Sequence, residues 1–190
     1  MAEDGVGTVA GTQGDQALSL VRDVARGHRA AMTRLYGLLE GPVYRFALAR
    51  LNDPAAAADV LHDTLVQVWQ EAGRFRAESK VLTWVLGLAA EHATLRAPAP
   101  RPAAAEQPGV ALADDDGPTD MSHVLARLDD PRAVRDAVQR LSAVQRSALH
   151  LAFHEDLSYG EMAEVLGCPE GAAKARVFDA KQALKRLLAA

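Results

Sequence analysis

The sequence has a single cysteine, Cys168, which excludes a disulfide framework and a cysteine-rich zinc site. Aromatic residues are only 5% of the chain while alanine is abundant, a balance that favours helices over β-sandwiches. Neither sign of charge dominates. With 21 Lys+Arg against 25 Asp+Glu, the formal net charge of −4 argues against non-specific coating of nucleic acid. Long hydrophobic runs are missing too, because the longest nearly apolar stretch, Val81 to Ala90, is too short to span a bilayer. The opening segment MAEDGVGTVAGTQGD lacks a basic region followed by an apolar one. No secretory signal and no membrane insertion are therefore expected, and the expected compartment is the cytoplasm. What is present is enough apolar material, 49% of 190 residues, to bury a core in one medium domain or two small ones.

The composition shifts at Ala97. The stretch APAPRPAAAEQPGVALADDDGPTD holds five prolines, two glycines and an acidic triplet, and proline both removes backbone donors and disfavours helix in the residue before it. The expected organisation is a disordered tail over 1–14, a helical domain over 15–96, a flexible linker over 97–119 and a second helical domain over 120–190. The fold class is all-α, since no strand-like alternation and no internal repeat are found.

Within the first domain, Asp15–Gly27 and His28–Glu40 read as one or two helices, and Gly41-Pro42 is expected to break or restart the pattern before Val43–Leu51. Asn52-Asp53-Pro54 is a helix start, with Asp53 as N-cap and Pro54 at the first helical position. That helix runs to about Ala72, with Leu61, Leu65, Val68 and Ala72 as its buried stripe. Gly73 ends it, Arg74–Lys80 is a basic loop, and Val81 to about Leu95 is another helix. In the second domain Pro131–Leu141 and Ser142–Phe153 read as helices, with Ser142 and Ser158 as caps. Ser158 and Glu161 have capping-box spacing, Gly167 suits the position after a helix end, and Pro169 can start a helix that runs to about Leu188.

A short helix, a turn at Gly167-Cys168 and a longer basic helix make a helix-turn-helix, whose second helix enters the major groove in the DNA-binding version. Ala173, Val177, Ala180, Leu184 and Leu187 give that helix its core face. Lys174 to Arg186 hold five cations against Asp179 alone, a basic stripe of the kind nucleic-acid binding requires. An αα-hairpin in an ordinary bundle is the plainer reading of the same block.

LSYGEMAEVLGCPEGAAKARVFDAKQALKRLL resembles region 4 of the group 4 (extracytoplasmic-function) bacterial sigma factors of the sigma-70 family. Upstream, GHRAAMTRLYGLLEGPVYRFALARLNDPAAAADVLHDTLVQVWQEAGRF resembles their region 2, and the two blocks stand in the family's order. The resemblance implies a sigma factor that directs transcription initiation. Its implied partners are RNA polymerase core (β and β′ subunits), promoter DNA and an anti-sigma protein, and no cofactor is expected. Region 2 would bind the β′ clamp helices through Asp59, His62, Asp63 and Gln67. It would meet the −10 element through Arg74, Arg76, Lys80, His92 and Arg96, with Phe75 or Trp84 available to pack or stack. Region 4 would meet the β flap and read the −35 element through Ala172, Lys174, Ala175, Arg176, Phe178 and Lys181.

The DNA-reading positions depart from the family's pattern. Gly87, Ala90 and Glu91 stand where polar or basic groups are usual, and Asp179 sits on the outward face of the second helix of the helix-turn-helix. Both acids are unfavourable near phosphate. A diverged sigma-like regulator with weak DNA binding is therefore the alternative, followed by a helix-turn-helix regulator unrelated to sigma factors. An enzyme reading rests on His150 and His154, which share a helical face and could share a metal, but no third ligand is placed by sequence. No metal site and no catalytic residue are assigned.

Overall fold

A computed structural model describes residues 7–97 and 130–189, with side chains from residue 14. The linker read over 97–119 lies outside the described residues apart from Ala97, as do residues 1–6 of the tail. The chain divides into two compact units, one formed mainly by residues up to Arg96 and the other mainly by residues after it.

The first unit contains α1 (Gly7–Ala25), α2 (Arg29–Leu51), α3 (Pro54–Glu71), a 3-10 turn (Ala72–Arg74) and α4 (Val81–Arg96). Helix α1 begins at Gly7, inside the stretch read from sequence as tail. Helix α2 is continuous through Gly41-Pro42, where the sequence predicts a break. The reason lies in burial: Ala31, Leu35, Leu39, Val43, Phe46 and Ala47 keep one helical face buried on both sides of the proline. An internal proline costs about 3 kcal/mol, and burying several large apolar side chains at about 1.5–3 kcal/mol each exceeds that. Left-handed Asn52 ends α2, and the Asp53 carboxylate then caps α3 by accepting from the amides of Ala55 and Ala56 at 2.9 and 3.2 Å. Helix α3 buries Ala57, Val60, Thr64, Leu65 and Val68. Its inward face is thus centred on Val60 and Thr64 rather than on Leu61, which is half-buried. Helix α4 is buried on most of its circumference and packs against α1, α2 and α3.

The second unit contains α5 (Pro131–Arg140), α6 (Ala143–Phe153), α7 (Tyr159–Leu166) and α8 (Glu170–Ala189). Asp130 caps α5, and Ser142 and Gln145 form a capping box at α6. Arg146 reaches back to the carbonyls of Gln139 and Leu141 at 3.0 and 2.8 Å and so closes the end of α5, while burial pushes its guanidinium below the ordinary arginine range. Helix α8 buries Ala173, Val177, Ala180 and Leu188. Leu188 packs with Ala137 of α5, and Leu184 and Leu187 are only partly buried. Among the described residues all regular structure is helical.

The hydroxyl of Thr64 is buried without a hydrogen-bond partner in the first unit. Thr64→Val should therefore raise stability by about 1 kcal/mol, whereas Asp53→Ala should lower it by about 1 kcal/mol through loss of the cap. Urea unfolding followed by tryptophan fluorescence measures both changes, because Trp69 and Trp84 both lie in this unit.

Candidate nucleic-acid interface

The α3–α4 seam joins residues that the sequence assigns to two different surfaces. Asp63 and Gln67 lie one turn apart on α3, and His92 and Arg96 one turn apart on α4. The Arg96 guanidinium donates to the Asp63 carboxylate and, at 3.3 Å, to the His92 carbonyl. His92 Nε2 lies 2.7 Å from Gln67 Oε1, and the Gln67 amide donates to Glu71 at 3.2 Å. Asp63 therefore already has the basic partner that its i, i+4 repulsion from Asp59 calls for, and that partner is supplied by the same chain. Asp59 and His62 point outward and are exposed, so the four residues read as polymerase contacts split into an outward pair and a pair turned onto α4.

Arg74, Arg76 and Lys80 are exposed on the loop between the 3-10 turn and α4. Phe75 and Trp84 stack on each other with centroids 4.7 Å apart and planes at 27°, and both rings are half-buried. The two rings beside this loop therefore already face each other. Glu91 is exposed near the end of α4, while Gly87 and Ala90 are half-buried.

In the second unit, α7 starts on the reciprocal Ser158–Glu161 capping box. It ends on Gly167, whose φ of +59° is a left-handed conformation that glycine adopts without strain. The amide of Cys168 donates to Ala163 at 3.1 Å and that of Gly167 to Glu164 at 3.4 Å, the pairing of a Schellman motif. This turn aims α8. On α8, Lys174, Phe178 and Asp179 are exposed, and Ala172 and Ala175 are half-buried. Lys181 is exposed and places its ammonium 4.9 Å from the centroid of Phe153, a cation–π contact. Arg176 turns back toward the turn, its guanidinium 3.6 Å from Cys168 Sγ. His150 and His154 stack 5.0 Å apart, and His150 Nε2 lies 3.2 Å from Glu155. No group of three or more His, Cys, Asp or Glu able to hold a metal ion occurs among the described residues.

Residues 35–93 match the sigma-70 region 2 family and residues 132–184 match sigma-70, region 4. An extracytoplasmic-function (ECF) sigma factor, SigK of Mycobacterium sp. (strain JLS), is 30% identical over 171 residues, covering 89% of each chain. The chain belongs to the ECF sigma factors of the sigma-70 family. It is a sigma factor of transcription initiation. RNA polymerase sigma-H factor of Pseudomonas aeruginosa is 27% identical over 186 residues, covering 92% of this chain and 94% of its own. The fold is shared with CnrH, solved in complex with the cytosolic domain of CnrY, at a TM-score of 0.64 and 20% identity over 91% of this chain and 97% of that one. It is also shared with RpoE of Bartonella quintana, solved with the anti-sigma factor NepR, at a TM-score of 0.57 and 22% identity over 82% and 95% of the two chains.

The sequence reading of this sigma factor passes over one surface. Tyr36, Val66 and Trp69 are large apolar side chains left exposed, and Arg29, Met32 and Thr33 join Tyr36 and Trp69 around a shallow groove of about 540 Å³. Val66 and Trp69 stand three apart on the outer face of α3, a pattern that was available in VQVWQ.

The Phe75–Trp84 stack makes a separable prediction. Phe75→Leu should cost about 1 kcal/mol and shift the Trp84 emission to longer wavelength, because an aromatic pair contributes roughly 0.5–1.5 kcal/mol beyond its buried area. A Trp69→Phe background isolates the Trp84 signal.

Proposed function

We propose that this sigma factor binds RNA polymerase core and promoter DNA through the two units in parallel. In the first unit Asp59 and His62, with Asp63 and Gln67 behind them, face the β′ clamp. Arg74, Arg76, Lys80, His92 and Arg96 face the −10 element. In the second unit α8 enters the major groove and α7 supports it, so that Ala172, Lys174, Ala175, Arg176, Phe178 and Lys181 face the −35 element and the β flap lies against the same domain. The observation that carries this reading is the turn from α7 to α8, where paired cap hydrogen bonds fix the angle of a helix that leaves Lys174, Phe178 and Lys181 outward. The protein acts as a binding subunit rather than as an enzyme, and its place of work is the cytoplasm with the polymerase.

An anti-sigma protein is the further partner, by analogy with RpoE, which was solved with one. Among the described residues no helix is long and apolar enough to cross a membrane.

A second reading, a sigma-like regulator that keeps the polymerase and holds DNA weakly, draws support from Glu91 and Asp179, which are both exposed where phosphate would approach. Core polymerase mixed with this protein and a promoter library separates the readings. Binding of core with promoter opening supports the sigma factor as stated. Binding of core without opening at any promoter supports the second reading, and absence of binding to core removes both.

Lys174→Ala should weaken DNA binding by α8 uniformly across sequences. It should also reduce the salt slope of log K by about 1, as expected for one lost phosphate contact. Anisotropy titrations on −35 duplexes at several salt concentrations check this, and a sequence-dependent loss would place Lys174 against bases instead.

A further inference from the structure

Arg96 and His92 at the end of α4 do not project freely from the first unit. Arg96 gives one donor to Asp63 and another to the carbonyl of His92, and the His92 ring is held by Gln67. Both side chains are half-buried against α3. The carboxylate of Asp63 and a nucleic-acid phosphate ask for the same thing, the forked N–H donors of one guanidinium. They therefore compete for Arg96.

We infer that Asp63 masks Arg96 in the free sigma factor, and that occupation of Asp63 by another cation releases Arg96 to bind phosphate. The inference rests on the reading above, in which α3 faces the polymerase and the end of α4 faces DNA. The mask is shallow. The Asp63 and Arg96 side chains keep 37% and 28% of their accessible surface, so the pair is partly screened and opens at small cost. Its release is also directional. A cationic group of the polymerase that takes the Asp63 carboxylate removes the anion closest to Arg96 at the moment DNA is to be engaged. By linkage the effect is reciprocal, so DNA bound to Arg96 leaves Asp63 available and tightens the polymerase contact by the same factor. Gln67 has the lesser part of a positioning residue: it holds the His92 ring on α3 and is itself fixed by Glu71.

The test measures binding of the full-length protein to a fluorescein-labelled single-stranded DNA oligonucleotide, alone and with saturating core polymerase. Asp63→Asn keeps the side-chain shape and removes the charge. For the free protein it should tighten DNA binding by about twofold to fivefold, the range spanned by one partly exposed ion pair. Asp63→Glu, which restores the carboxylate, should bind as the wild type does. In an Arg96→Ala background Asp63→Asn should have no effect. With core bound, the advantage of Asp63→Asn over wild type should vanish, because the wild-type mask is then already open. If Asp63→Asn fails to fold by circular dichroism, Asp63→Ser repeats the comparison with a smaller neutral side chain.

Absence of tightening in the free protein overturns the inference while leaving the DNA role of Arg96 intact, provided Arg96→Ala weakens binding with core. Tightening that persists without Arg96 reduces the effect to net charge and also overturns it. If Arg96→Ala changes nothing even with core, the assignment of Arg96 to the −10 surface falls, and the masking inference falls with it.

Discussion

The first unit depends on one requirement, that α4 be apolar around most of its circumference. Val81, Thr83, Val85, Leu86, Leu88, Ala89 and Ala93 are buried, and the helix packs against α1, α2 and α3. At about 1.5–3 kcal/mol for each large apolar side chain, this single helix brings a large share of the free energy that holds the unit together. The same requirement thins the charge that α4 can carry. Gly87 and Ala90 are half-buried where a more basic helix would carry cations. Charge is pushed to the final turns, where Glu91, His92 and Arg96 sit, and to the loop that carries Arg74, Arg76 and Lys80. Stability and surface charge draw on the same positions of α4, and burial takes most of them.

What could be read from the sequence, and what could not, divides by the range of the forces involved. The caps at Asp53, Ser142 and Ser158 and the left-handed turn at Gly167 are chemistry among residues two to four apart, and they appear in the structure where the spacing puts them. Pro42 obeys no such local rule, because the buried face that runs from Ala31 to Ala47 holds α2 together across it. Leu65, Val68 and Ala72 of the stripe read on α3 are buried, but packing between α2 and α4 adds Val60 and Thr64 to it and leaves the more hydrophobic Leu61 half-buried. The Asp63–Arg96 and Gln67–His92 contacts span 33 and 25 residues, and no periodicity predicts which polar side chains meet across a seam.

The second unit shows the same limit in its charges. Counting cations on α8 locates a basic stripe but not where the cations go. Arg176 is drawn back to the sulfur of Cys168, and Lys181 lies over the ring of Phe153. The far end of α8 is occupied by another task, since Leu184, Leu187 and Leu188 pack with α5. A helix that closes a core along part of its length has only the rest to offer a partner, and here that rest is the exposed stretch around Lys174 and Phe178.

A thin supply of phosphate contacts is compatible with a sigma factor because the sigma factor does not meet DNA alone. Affinity from counterion release grows with the number of phosphates neutralised, so a protein with few available cations binds free DNA weakly and without selectivity. Attachment to polymerase changes the problem from bimolecular to local: two weak DNA-binding units held on one assembly act at a high effective concentration near their sites. In that setting strong non-specific attraction by the free protein is a disadvantage, since it would distribute the sigma factor over competing DNA. The exposed acids Glu91 and Asp179 and the engaged state of Arg96 lower that attraction, and they do so without touching the apolar packing on which the fold rests. In the proposed assembly, occupancy of promoters is governed by the polymerase contact first and by the DNA contacts second.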